Sequence, residues 1–217
     1  MKLWHCVGAR SLRALWALEE LGLDYELVVL PFPPRVLERD FLKVNTLGTV
    51  PYFEHETASG TLTMTESCAI PQYVATVSED EHFMLPATHP EYGSLLNWCY
   101  HADATLTFPQ TIFLRYSALE PDPAKQQVGD DYAKWFVARL RRLDAHLLEK
   151  DYLVAGRFTI ADICIAYALW LGRELKLSDR YQPQTLAYLE RVTSRDGFKR
   201  ADALGRDDSG SDSTVAS

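Results

Sequence analysis

The apolar positions change their period part-way along the chain. Lys2 to Val7 is a short β-rich run, and Gly8-Ala9-Arg10-Ser11 reads as a loop. Leu12, Leu15, Trp16, Leu18 and Leu21 then recur at helical spacing, with Gly22 placed as a C-cap. Tyr25 to Leu30 is a second β-rich run, and Pro31-Phe32-Pro33-Pro34 must be irregular or extended. Val36 to Val44 predicts a short helix. Tyr52 to Glu54 and Thr61 to Met64 predict two strands around the turn formers of 56–60, and an apolar helix follows from Ser67. The order β-α-β-α-β-β-α implies an α/β domain with a four-stranded mixed sheet.

Beyond it no strand pattern recurs. Ser78 to Pro90 is polar, contains Pro86 and Pro90, and reads as a linker. Glu91 to Leu119 predicts a long helix kinked at Pro109. Gln126 to Glu149 predicts another, with Tyr132, Phe136, Leu140, Leu143 and Leu147 on one stripe. Thr159 to Leu171 has almost no polar face and predicts a buried helix; Thr159 and Asp162 are spaced as a capping box and read as structural. Thr185 to Ser194 is a last amphipathic helix, and 206–217 has the composition of a flexible tail. The expected organisation is an α/β domain over 1–80, an all-helical domain over 90–205 and the tail.

Composition narrows the function. The net charge is −8, carried mostly by residues 1–82, so neither a nucleic-acid backbone nor an anionic membrane is an expected partner. No apolar run is long enough to span a bilayer and the N-terminus has no signal-peptide pattern, so a cytoplasmic protein is expected. Cys6, Cys68, Cys99 and Cys164 form no Cys-x-x-Cys pair, and the six histidines have no ligand spacing, so no metal is expected.

The chemistry concentrates in 47–70. Pro51 fixes φ and supplies no N–H, so it belongs at a strand's start or edge. A cis Val50-Pro51 bond would free the backbone of Val50 to meet another peptide, although cis is the minority isomer. Ser67 lies where a helix begins, a place that favours a carboxylate, and Glu66 beside it suits a cationic amine. Together these describe a seat for a zwitterionic peptide. The same residues also describe a plain hairpin leading into an N-capped helix, and alone they do not decide between the two.

Val50-Pro51 followed by Thr65-Glu66-Ser67-x-Ala69-Ile70 resembles the glutathione-binding signature of the cytosolic, bacterial-type glutathione S-transferase family. The resemblance extends to Lys2-Leu3-Trp4 through Gly22 and to Gly156-Arg157-Phe158-Thr159-Ile160-Ala161-Asp162, so it spans most of the chain. It implies a thioredoxin-like N-terminal domain, an all-α C-terminal domain, a cytosolic homodimer and glutathione as co-substrate. It implies that Pro51 is cis, that Val50 pairs with the cysteinyl backbone, and that Glu66 and Ser67 hold the γ-glutamyl end. Ser11 is then the expected catalytic residue, its hydroxyl and the helix N-terminus directed at the glutathione sulfur. Where beta-type relatives have tyrosine and cysteine this chain has His5 and Arg10. The missing cysteine argues against mixed-disulfide chemistry, and Arg10 could add positive potential. Arg35 falls near the site for the glycine carboxylate, and Asp103 is placed to meet the amine of glutathione in the partner subunit. Tyr100, His101, Thr105 and Phe108 are the residues expected to line the pocket for a small hydrophobic electrophile. Isomerase, dehalogenase or peroxidase chemistry, or ligand binding without catalysis, is compatible with the same fold.

Overall fold

The computed structural model describes residues 1–207. The described chain divides into two compact units: residues 1–79 with residues 195–207, and residues 80–194.

The first unit is built on β1 (Lys2–His5), α1 (Leu12–Leu21), β2 (Glu26–Val29), α2 (Pro34–Leu37), β3 (Tyr52–Thr57), β4 (Gly60–Met64) and α3 (Ala69–Val77). The sheet has the order β2-β1-β3-β4, with β1 parallel to β2 and antiparallel to β3, and β3 antiparallel to β4. This is the expected thioredoxin-like four-stranded mixed sheet. Leu3 and Phe53 face one another in register and are fully buried. Trp4 and Tyr52, the next pair, meet edge to face at 5.2 Å. The register fixes where the loops lie. The C-terminal ends of β1, β2 and β4 and the N-terminal end of β3 all fall at one end of the sheet. That end therefore carries loops 6–11, 30–33, 47–51 and 65–68.

The helix expected over 36–44 is instead two short pieces. α2 begins with Pro34 at its first position and stops at Glu38 (φ −131°, ψ 76°), after which Arg39–Lys43 forms a 3₁₀ helix. A further helix, α10 (Asp196–Asp207), was not foreseen and clusters with this first unit. It packs on α1: Trp16 meets Phe198 edge to face at 4.9 Å, and Arg195 grips Glu20 with two bonds of 2.8 Å. Arg200 holds Glu19, which also accepts from Tyr25. With α3 and α10 both against it, α1 is buried from Leu12 through Leu18, well beyond an amphipathic stripe. Asp196 opens α10. At Gly197 a Cβ would lie 2.6 Å from the Glu20 carboxyl carbon, so a larger residue there would displace the Glu20 side chain. The expected tail begins inside α10 and from 208 lies outside the described residues.

The second unit is helical: α4 (Tyr92–Tyr100), α5 (Phe108–Leu114), α6 (Gln126–Arg139), α7 (Arg141–Leu147), α8 (Ile160–Glu174) and α9 (Pro183–Thr193). Residues 92–119 form one unbroken helical run, as expected, but 101–107 and 115–119 are π-helical. Pro109 has no N–H to donate, and the turn before it is the widened one. Thr107 donates its hydroxyl to Ala102 O at 2.7 Å across that turn. The helix expected over 126–149 is divided at Leu140, whose N–H bonds three residues back to Val137. α8 is the core of this unit, buried at all but three of its fifteen positions, and Thr159–Asp162 closes the capping box at its start. Among the described residues no helix is long and apolar enough to cross a membrane.

Candidate functional site

Seven of the site residues read from the sequence lie in the loops, or just beyond them, at the one end of the sheet described above: Arg10, Ser11, Arg35, Val50, Pro51, Glu66 and Ser67. The Val50-Pro51 peptide is cis, as the resemblance implies. Val50 is half-buried, Pro51 buried, and both Arg35 and Glu66 are exposed. Ser67 is 5% exposed and stands one residue before the N-cap of α3. The seat read as anion-binding therefore has its hydroxyl nearly enclosed, while the carboxylate read as amine-binding projects into solvent.

The loop that delivers Val50 is held by a residue the sequence reading passed over. Asn45, 4% exposed, donates to Thr49 O at 2.8 Å and accepts from the Leu47 N–H at 3.1 Å. An asparagine ahead of Gly48 and a proline was the available turn signal. Gly48 has φ +60°, and a Cβ there would lie 2.6 Å from Arg35 Cβ and 2.8 Å from Leu42 Cδ2. The close approach is what sets α2, and with it Arg35, against the Val50 loop. Gly48→Ala is expected to lower stability by about 2 kcal/mol, from the left-handed backbone and the overpacking together. Thermal unfolding checks it, and an unchanged melting temperature would show that α2 shifts freely.

Ser11, whose hydroxyl the resemblance directs at the glutathione sulfur, is fully buried in the protein alone. Its Oγ accepts from the Cys6 N–H at 3.3 Å and lies 2.9 Å from His5 Nδ1. It stands at the N-cap of α1 without capping it, and the first turns close on themselves instead, with Leu12 N–H to Ala9 O and Arg13 N–H to Arg10 O. His5, the last residue of β1, is thus Ser11's partner. The proton on the imidazole decides what Ser11 can do. With Nδ1 protonated, His5 and the Cys6 N–H both donate to Oγ, and the hydroxyl proton is left for a third group. With Nε2 protonated, the hydroxyl donates to His5. Burial pushes the Cys6 thiol up to about 12, so this cysteine is no nucleophile.

The second unit carries the remaining expected residues on the helical run from α4 into α5. Tyr100 and Phe108 are exposed, and His101, Asp103 and Thr105 are half-buried. His101 meets the Trp98 ring at 5.6 Å, and among the described residues its Nε2 has no hydrogen-bond partner. Burial first, then Arg142 and Arg139, hold its pKa below the usual value. Among the described residues no cluster of three His, Cys, Asp or Glu side chains could hold a metal ion.

The sequence reading also passed over Arg13. It is fully buried on α1, and its Nη1 donates to Ser67 Oγ at 2.9 Å. The sequence shows it only as a basic residue between two apolar ones.

Comparison with known proteins matches both units. Residues 1–76 match the family described as glutathione S-transferase, N-terminal domain, and residues 109–196 match glutathione S-transferase, C-terminal domain. The glutathione S-transferase GstA of Escherichia coli O157:H7 is 28% identical over 197 residues, 90% of this chain and 94% of that protein. A sphingomonad glutathione S-transferase solved in complex with glutathione is 26% identical with a TM-score of 0.79, over 95% of this chain and 99% of that one. Elongation factor 1-gamma of Artemia salina is 30% identical over 168 residues, 74% of this chain but 35% of that protein.

Proposed function

The chain belongs to the cytosolic glutathione S-transferase family, and from that premise we propose that it is a glutathione transferase acting on a small hydrophobic electrophile. The observation that carries this is the meeting of the cis Val50-Pro51 turn, the Glu66-Ser67 pair and loop 6–11 at one end of the sheet. Glutathione has the matching groups. Its γ-glutamyl carboxylate suits Ser67 and the start of α3, its amine suits Glu66, its cysteinyl backbone suits Val50 and its glycine carboxylate suits Arg35. These assignments leave the thiol toward Arg10 and Ser11. With His5 donating from Nδ1, the Ser11 proton is available to the sulfur, and Arg10 adds positive potential there. The thiol gives its proton to solvent water, and the thiolate attacks the electrophilic carbon as the leaving group departs with the electron pair of the broken bond. Tyr100, His101, Thr105 and Phe108 are assigned to the electrophile. Asp103 is assigned to the glutathione amine in a homodimer.

The test follows the ultraviolet absorbance of thiolate in the protein–glutathione complex against pH, with Ser11→Ala alongside. The bound thiol is expected to titrate about two units below the free value near 8.5, a stabilisation of roughly 2.7 kcal/mol. Ser11→Ala is expected to return at least half of that shift. The elongation-factor likeness and the buried Ser11 together support a second reading, ligand binding without catalysis. Saturable glutathione binding with an unshifted thiol would select it.

A further inference from the structure

Packing α1 against α3 does not call for a charge, yet a guanidinium lies there. Arg13 is fully buried on the first turn of α1, and its Nη1 reaches Ser67 Oγ, 54 residues away, at 2.9 Å. Ile70, Val74 and Ala75 of α3 are buried apolar residues, and α1 supplies Leu12, Leu15 and Leu18. An apolar residue at 13 would join these without the desolvation penalty that a buried cation carries. The bond itself has one direction. A guanidinium offers donors only, so Ser67 is the acceptor. A hydroxyl carries a single proton, and that of Ser67 is left to be donated elsewhere. Ser67 precedes the first turn of α3, keeps a small exposed surface and follows the exposed Glu66.

We propose that Arg13 is a positioning residue of the γ-glutamyl subsite. By holding Ser67 Oγ as its acceptor, it fixes the Ser67 hydroxyl as a donor to the ligand's α-carboxylate. Selectivity for γ-glutamyl peptides that carry that carboxylate follows from it. The proposal rests on the glutathione reading given above. Arg13 does not touch the ligand; it acts through Ser67.

Calorimetric titration with two peptides separates the possibilities. One is glutathione, and the other is 4-aminobutanoyl-cysteinyl-glycine, which keeps the chain and amine but lacks the α-carboxylate. The native protein is expected to prefer glutathione by about 10- to 100-fold, the worth of a hydrogen bond to a charged group. Arg13→Met should erase most of that preference by weakening glutathione while leaving the analogue within about threefold, since only the former uses the charged bond. Arg13→Lys, which keeps a donor and the charge, should restore part of it and covers the case in which Arg13→Met fails to fold. In a Ser67→Ala background Arg13→Met should add little further loss. Three results would overturn the proposal: a preference unchanged in Arg13→Met and Arg13→Lys, a parallel loss of both peptides, or full additivity with Ser67→Ala. A native protein that binds both peptides equally overturns it while sparing the glutathione reading. A native protein that binds neither removes both.

Discussion

Asp162→Ala is expected to lower the unfolding free energy by about 3–5 kcal/mol, the range for breaking a buried, hydrogen-bonded charge network. Asp162 is fully buried at the start of α8. Its Oδ2 accepts from the Thr159 N–H at 2.8 Å and the Thr159 hydroxyl at 3.2 Å. Its Oδ1 accepts from the Tyr188 hydroxyl at 2.8 Å and the Leu153 N–H at 3.2 Å. One carboxylate thus joins the helix N-terminus, the 151–158 loop and α9. Alanine leaves four buried donors without their acceptor. Each orphaned donor costs about 1–3 kcal/mol, and local relaxation keeps the sum below the simple total. Tyr188→Phe removes one bond and is expected to cost about 1 kcal/mol. Urea unfolding with an unchanged slope would register both differences as midpoint shifts. An Asp162→Ala midpoint no lower than that of Tyr188→Phe would show that water or rearranged groups replace the carboxylate.

That box was readable from spacing alone, because Thr-x-x-Asp ahead of an unbroken apolar run is a local signal. The succession of strands and helices along residues 1–80, α1 and α8 were legible for the same reason. What the sequence hid depended on distant chain. The all-round burial of α1 comes from α10, which lies about 180 residues away in sequence, and α10 itself has a charged composition that resembles the tail beyond it. The division at Leu140 and the π-helical turns before Pro109 and at 115–119 are matters of hydrogen-bond register that apolar spacing does not encode.

The site shows the same limit. The cis turn and the Glu66-Ser67 pair were found through a motif, and the structure brings them to one end of the sheet. The groups behind them were not found. Arg13 and Ser67 meet across 54 residues, and His5 and Ser11 across a loop. Neither pair has a spacing that marks it, and only the folded sheet shows that the serines are held from behind by buried side chains of β1 and α1.

His5 gives the second large effect, and it appears as pH dependence. Burial holds its imidazole down at about 4, against an ordinary 6.5, with Asp202 pulling the other way. Between those values the unfolded chain takes up a proton that the folded protein refuses. Stability therefore rises with pH through this window: the contribution is fully present above 6.5 and is lost as pH falls toward 4. The difference corresponds to about 3 kcal/mol. Asp162 works in the opposite sense, since burial raises its carboxyl to about 6 against the pull of its four donors, and its contribution is lost as pH rises from 3.8 through 6. The two partly cancel in the native protein between pH 4 and 6, so a single stability curve would hide them both. His5→Asn separates them. Asparagine keeps a polar group toward Ser11 Oγ, cannot titrate, and leaves Asp162 in place. The stability gap between native protein and His5→Asn is expected to shrink by about 3 kcal/mol from pH 7 to pH 4, measured by urea unfolding at each pH. Parallel curves would mean that His5 takes up its proton in the folded protein at the same pH as in the unfolded chain. Below that pH the imidazolium would donate from Nδ1 to Ser11, and only above it would the choice of tautomer govern the Ser11 hydroxyl proton.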